Sequence, residues 1–240
     1  MGKKRGEDYS EQYLTFEIVE GGDVTFVASH GDYVRTIYYS LNGGNWVSVT
    51  SSTTPQQLGG ILQAGDKVRV RGLNKAYFNN ATNKRNSFGG TAKVNVFGNI
   101  LSLTYGDNFK NKTVPESNFS FLFRAYNGLL SAEYLVIPWD YIATHGLKMM
   151  FQDCINLTTA PTIKGQLSTS NCCRQMFYGC SSLSKIVCLA TDISGASATL
   201  LWVKGVAATG TFFKHPNATW TTGTSGIPTG WTVEDVVMDK

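Results

Sequence analysis

The sequence predicts a mainly β chain with short helices (α+β): an antiparallel, sandwich-like β-domain, then a short array of stacked repeats closed by a cap. Three observations carry this prediction. Apolar and polar residues alternate with period two through much of residues 11–105, the mark of half-buried strands. Gly and Asn interrupt that alternation at roughly ten-residue intervals, the turn rhythm of antiparallel sandwiches and barrels. Beyond residue 105 one motif recurs at nearly constant spacing, as in chains built from units that stack.

Residues 1–10 read as a disordered polar leader, in which Glu7 and Asp8 partly cancel Lys3, Lys4 and Arg5. Leu14, Phe16 and Ile18 alternate with Thr15 and Glu17, and Gly21-Gly22 offers a hairpin turn into a second strand over residues 24–27. Residues 36–40 and 46–49 flank Asn42-Gly43-Gly44; Asn and Gly tolerate positive φ, so this reads as a hairpin. Gly65-Asp66 turns into Lys67-Val68-Arg69-Val70-Arg71, a half-buried strand with a basic outer face. Residues 74–90, rich in Asn, Lys and Gly, read as a long loop holding Tyr77 and Phe78. Alternation returns between Ala92 and Leu103, so the β-domain spans 11–105.

The recurring motif has the form [LM]-F-x2-[YC]-x2-L. It occurs as Leu122-Phe123, Tyr126, Leu129; as Met150-Phe151, Cys154, Leu157; and as Met176-Phe177, Cys180, Leu183. The phenylalanines are 28 and then 26 residues apart, with a weaker echo at Thr211-Phe212. Phe closes a short helix or turn, the Tyr or Cys packs beneath it, and the Leu opens a strand facing the same core. One unit cannot bury its own apolar face, so units stack. Residues 141–149 and 167–175 are predicted as short helices. The period lies in the leucine-rich range, which assigns 106–209 to leucine-rich-type repeats. Residues 210–240 form the cap that the last unit needs, with Trp202, Trp220 and Trp231 as its material.

Composition limits the function classes. Hydrophobic residues make up 42% and charged residues 16%, which is globular rather than disordered. The net charge of +4 is spread along the chain with no basic stripe, so no nucleic-acid partner is expected. No apolar run approaches the ~20 residues of a membrane span. The start lacks the apolar core of a signal peptide, so the expectation is that the chain stays inside or leaves without a signal, as a phage-particle protein does. The five cysteines lie between Cys154 and Cys188; an odd count without paired spacing argues for buried thiols over disulfides or a metal site.

No motif of the triad, zincin, Walker or dinucleotide kind is present, and His30, His145 and His215 sit at turns or near a helix end. Asp107, Asp140 and Asp153 read as turn and cap residues. The chain is therefore expected not to be an enzyme and to need no cofactor. Loop aromatics are the binding candidates, because they stack on sugars or fill protein hot spots: Tyr77, Phe78, Trp139 and Tyr141.

The Met-Phe-x2-Cys-x2-Leu units, Thr159-Ala160-Pro161 after the second, and the closing Gly210-Thr211-Phe212 and Gly226-Ile227-Pro228-x-Gly230-Trp231 resemble BspA-like leucine-rich repeat proteins. Residues 38–46 and 98–107 are similar to the β-domain joined to such repeats in anaerobic gut bacteria and their phages. The resemblance implies surface display, adhesion and binding to a protein or glycan, without catalysis. Two features depart from it: the chain shows neither signal nor anchor, and its first unit has Leu122 and Tyr126 where the others have Met and Cys. The resulting expectation is a recognition or attachment protein on a virion or bacterial surface. The alternatives are a self-assembling structural component of a phage particle and, further off, a carbohydrate-active enzyme with two converging carboxylates.

Overall fold

The computed structural model describes residues 8–73, 84–112 and 119–237. Within them the chain is mainly β. The alternating segment yields β1 (Leu14–Glu20), β2 (Val24–Ala28), β3 (Thr36–Leu41), β4 (Val47–Thr50), the short β5 (Gln56–Gln57), β6 (Lys67–Gly72), β7 (Asn86–Gly90) and β8 (Lys93–Asn99). They form two sheets. One runs β4-β3-β6-β1-β8 and continues into β9 (Leu129–Val136); the other runs β5-β2-β7. Strand pairing is antiparallel except between β8 and β9. The inner faces meet through Phe16 against Phe88, 5.0 Å between centroids, and the apolar members of β1, Leu14, Phe16 and Ile18, are buried as the alternation requires.

Four local expectations are corrected. Gly21-Gly22 does not close a hairpin: β1 and β2 lie in different sheets, and Gly22 exchanges backbone hydrogen bonds with Leu62 as the chain crosses between them. The loop read over 74–90 ends in β7, whose Asn86, Gly89 and Gly90 are poor strand formers and whose anchor is buried Phe88. Leu101 and Leu103 do not prolong β8; they belong to a turn leading into α1 (Ser102–Tyr105) and to α1 itself. Residues 8–10 of the supposed leader are ordered: Asp8 caps a 3-10 turn by accepting from Ser10 N–H at 2.9 Å, and Tyr9 stacks on Tyr134 at 4.8 Å. Residues 1–7 lie outside the described residues.

Beyond β9 the chain winds in stacked coils. Each contributes a strand segment to one growing sheet. Ser131 bridges Thr159 and Thr159 bridges Lys185, all in parallel, leading to β10 (Lys185–Cys188), β11 (Thr211–Lys214) and β12 (Thr232–Asp235), also parallel. One sheet thus runs from β4 to β12.

The predicted helices over 141–149 and 167–175 are absent. A ribbon of turns replaces them, because every fourth residue has positive φ: His145, Met149 and Asp153 in one coil, Asn171, Gln175 and Gly179 in the next, Ser197, Leu201 and Gly205 in the third. A left-handed residue at that interval stops helix propagation. Alternate N–H groups bond three residues back, as Met150 does to Leu147, and the others bond the next coil, as Leu147 does to Cys172 and Phe151 to Met176. The backbone is satisfied without helix or strand.

Between ribbon and sheet the aromatic residues stack. Phe88, Phe123, Phe151 and Phe177 follow one another at 6.0, 5.4 and 5.7 Å. Trp202, not Phe212, continues the column at 6.0 Å from Phe177, and Trp220 stacks on it at 5.3 Å; the echo at Thr211-Phe212 is instead strand β11. Tyr126, Leu129, Cys154, Leu157, Cys180 and Leu183 are all buried as the motif predicts. All five cysteines are buried and none is in a disulfide. The coils approach so closely that a side chain at Gly128 would place Cβ 2.0 Å from the Ala92 oxygen. One core cluster includes residues from Leu14 to Trp231, so the predicted boundary at 105/106 is crossed by both sheet and core.

Candidate functional site

The face of the long sheet that points away from Phe88 carries the candidate site. Period-two alternation puts Lys67, Arg69 and Arg71 of β6 outward, as the sequence predicts. Their neighbours are Tyr38 of β3, Glu17 of β1, Phe97 of β8 and Tyr134 of β9, and the register sets Tyr38 beside Arg71 and Phe97 beside Tyr134. Trp46, at the foot of the Asn42-Gly43 hairpin, folds over this face. Arg71 lies 4.3 Å and Arg69 5.5 Å from its ring, and Tyr13 meets it edge-on at 5.1 Å. Lys67 sits 5.7 Å over Phe97, and Tyr9 bridges Phe97 and Tyr134. A continuous strip of rings and cations results.

Two depressions interrupt it. One of about 780 Å³ is lined by Tyr9, Glu133, Tyr134, Pro138, Thr162 and Lys164 among others. The other, of about 330 Å³, lies between Gln12, Thr15, Asn42, Lys67, Arg69 and Phe97. The hairpin that borders the second depression is tied down by hydrogen bonds: Asn42 has φ 50 and Gly43 φ 83, Asn42 donates to Asp66 and accepts from Lys67 N–H, and the Ser40 hydroxyl donates to Gly44 O at 2.6 Å while accepting from Arg69.

The electrostatics suit hydrogen bonding. Burial, then the Asp107 hydrogen bond, holds the Tyr13 phenol above its ordinary 10.0; burial and Glu133 do the same for Tyr134. Both phenols are neutral donors at neutral pH. Arg71 and then Tyr13, both hydrogen-bonded to Asp107, hold its carboxyl below 3.8. A carboxylate so stabilised is a firm acceptor and a weak base. Among the described residues no group of three or more His, Cys, Asp or Glu is placed to hold a metal ion. No described helix is long and apolar enough to cross a membrane.

Of the four aromatic candidates, the two among the described residues line neither depression. Tyr77 and Phe78 lie outside the described residues. Trp139 is 1% exposed and stacks on Phe119 at 5.7 Å, so it belongs to the core and presents no face to a ligand. Tyr141 is 46% exposed and bridges Gln166, but lines neither depression. Sequence reasoning missed Tyr9, Tyr13, Trp46 and Tyr134. The usable signal was the basic alternation of β6, since aromatics on flanking strands share its face.

Comparison of the chain with protein-family models, curated proteins and solved structures finds no match.

Proposed function

We propose that this chain is a non-enzymatic recognition protein, displayed on a virion or bacterial cell surface, that holds a glycan on the outer face of its long sheet. The observation that carries this reading is the strip from Tyr134 through Phe97 and Lys67 to Arg69, Trp46 and Arg71. Half-buried rings offer apolar faces to sugar rings, and fixed guanidinium, phenol and carboxylate groups beside them offer donors and acceptors for hydroxyls. Two facing sheets support a sandwich-like β-domain. Coils of about one leucine-rich period, ended by Trp220 and Trp231, support a capped repeat array of the BspA-like kind.

A second reading, a self-assembling structural component of a phage particle, is favoured by β12, which ends the sheet with all four residues exposed. The two separate in one experiment: binding to an immobilised bacterial-surface glycan panel, with sedimentation of the same sample. Retention that falls at least tenfold in Trp46→Ala and Tyr134→Ala is expected. An unretained, oligomeric protein would replace the first reading by the second.

A further inference from the structure

The array carries a second feature on its ribbon side. Backbone bonding sets the equivalences. Phe121 N–H and Met149 N–H bond the carbonyls of Lys148 and Arg174, so those two occupy one column in consecutive coils. Ala125, Asp153 and Gly179 bond Gln152, Tyr178 and Lys204, which form the neighbouring column begun by Arg124. Each coil therefore presents one cation: Arg124, Lys148, Arg174, Lys204. Arg85, 5.0 Å over the Phe121 ring, adds another at the β-sheet end. These residues are far apart in sequence but gathered in two adjacent columns, Lys148 and Arg174 in one and Arg124 and Lys204 in the other, so the expectation that the chain has no basic stripe does not hold on this side.

Arg85, Arg124, Arg174 and Lys204 are not neutralised from within. None of the ion pairs among the described residues involves Arg85, Arg124, Arg174 or Lys204. Asp153 is the acid in this part of the ribbon, one position beyond Gln152. Arg124 Nε and Arg174 Nε, two coils apart, are buried donors without a hydrogen-bond partner, and Gln152 Oε1 between them is an unpartnered acceptor. Buried donors left unpaired on a cationic surface call for an anion or ordered water. Burial and Arg124 lower Arg85, and burial and Arg174 lower Lys148, as expected of like charges held close.

We propose that this stripe binds a linear anionic polysaccharide, one carboxylate-bearing sugar per coil, running along the array. Adjacent parallel rows are about 4.8 Å apart, so Lys148 and Arg174, in one column of consecutive coils, repeat at roughly the rise of one extended sugar residue, with Arg124 and Lys204 flanking them in the neighbouring column. A nucleic acid fits less well. Duplex phosphates rise about 3.4 Å per step along the helix axis while winding around it, so they follow no straight row, and single strands require open aromatic faces. Here Arg85 covers Phe121 and Lys204 covers Tyr178 at 5.7 Å. This site is separate from the strip around Trp46 and stands whether or not that strip binds a glycan.

The test is calorimetric titration of the full chain with polygalacturonate, with dextran as the neutral control and oligothymidylate as the competing polyanion. Binding to polygalacturonate is expected, at least tenfold weaker at 200 than at 50 mM salt, with none to dextran. Arg124→Gln with Arg174→Gln lowers affinity at least tenfold; exposed Lys204→Gln, which cannot disturb the core, lowers it severalfold; Lys93→Gln, which removes a cation outside the stripe, leaves it unchanged. Absence of binding, preference for oligothymidylate, or loss in Trp46→Ala with Lys204→Gln unaffected overturns the proposal.

Discussion

The residue three places after each array phenylalanine is a buried hydrogen-bond donor. Cys154 Sγ donates to Phe123 O and Cys180 Sγ to Phe151 O, both at 2.9 Å, and the Tyr126 hydroxyl donates to Ala92 O at 3.2 Å. The first unit departs from the Cys pattern because its acceptor belongs to the β8 end of the sheet and needs a longer reach. The motif was legible in the sequence; the acceptor, 31 residues away for Cys154, was not. Removing a donor from a buried carbonyl costs about 1–3 kcal/mol where it leaves the carbonyl unpaired and about 0.5–1.5 kcal/mol where another donor remains, as Cys154 N–H does on Phe151 O. Tyr126→Phe should therefore lose about 1–2 kcal/mol in urea denaturation, and Cys180→Ala about 2–3 kcal/mol once its cavity is added; wild-type midpoints would remove this role. Burial also pushes the Cys154 and Cys188 thiols from 9.0 up to about 12. The folded state then holds its protons more tightly than the unfolded state. Their contribution is complete below pH 9 and is lost as pH rises towards 12. The urea midpoint should fall through that window, and fall less in Cys188→Ala, for which an identical pH slope would exclude the thiol.

At the scale of elements, strands were legible and the ribbon was not. Leu147, Met150, Phe151 and Cys154 are spaced i, i+3, i+4, i+7, as are Cys173, Met176, Phe177 and Cys180. That is the spacing of an amphipathic helix, and a turn ribbon with a four-residue period buries the same positions. Only the left-handed backbone at His145, Met149, Asn171 and Gln175 separates the two; Asn171 and His145 are of types that favour it, and Met149 and Gln175 are not. The ribbon accepts an energetic penalty there, since a non-glycine residue in this region costs roughly 1–2 kcal/mol. Half-buried Gln175, φ 54, offers the test. Gln175→Gly should raise stability by about 0.5 kcal/mol, net of unfolded-state entropy. Gln175→Val should lower it by at least about 1 kcal/mol, because β-branched residues avoid this region. Thermal melting distinguishes the two; a melting point raised by Val would contradict the assigned backbone. Strand β7 escaped notice because glycines and Asn diluted its pattern around the single anchor Phe88.

One long sheet and one core run through the described residues, with the β5-β2-β7 sheet packed against them. The sequence announced a change of texture after residue 105, and that change is real, but β9 pairs with β8 across it and Phe123 reaches both Phe88 and Phe16, at 6.0 and 6.1 Å. The halves are expected to unfold together. In native-state hydrogen exchange the slowest amides of β1, such as Phe16, and of β10, such as Ile186, should share one opening free energy; two separated values would show independent domains. The gathering of Arg124, Lys148, Arg174 and Lys204 into two adjacent columns also exists only at this scale, since it depends on how many residues each coil consumes. That dependence has an evolutionary reading. Loss of residues 145–170 would seat Asn171 where His145 now stands, and Phe119 N–H, which bonds Gly146 O, would meet Cys172 O instead. The chain could thus shorten or lengthen by one row, about 4.8 Å, with both ends unaltered. Reach would become a quantity inherited in whole steps, like the gradations of a ruler, adjustable by in-frame duplication without a new fold.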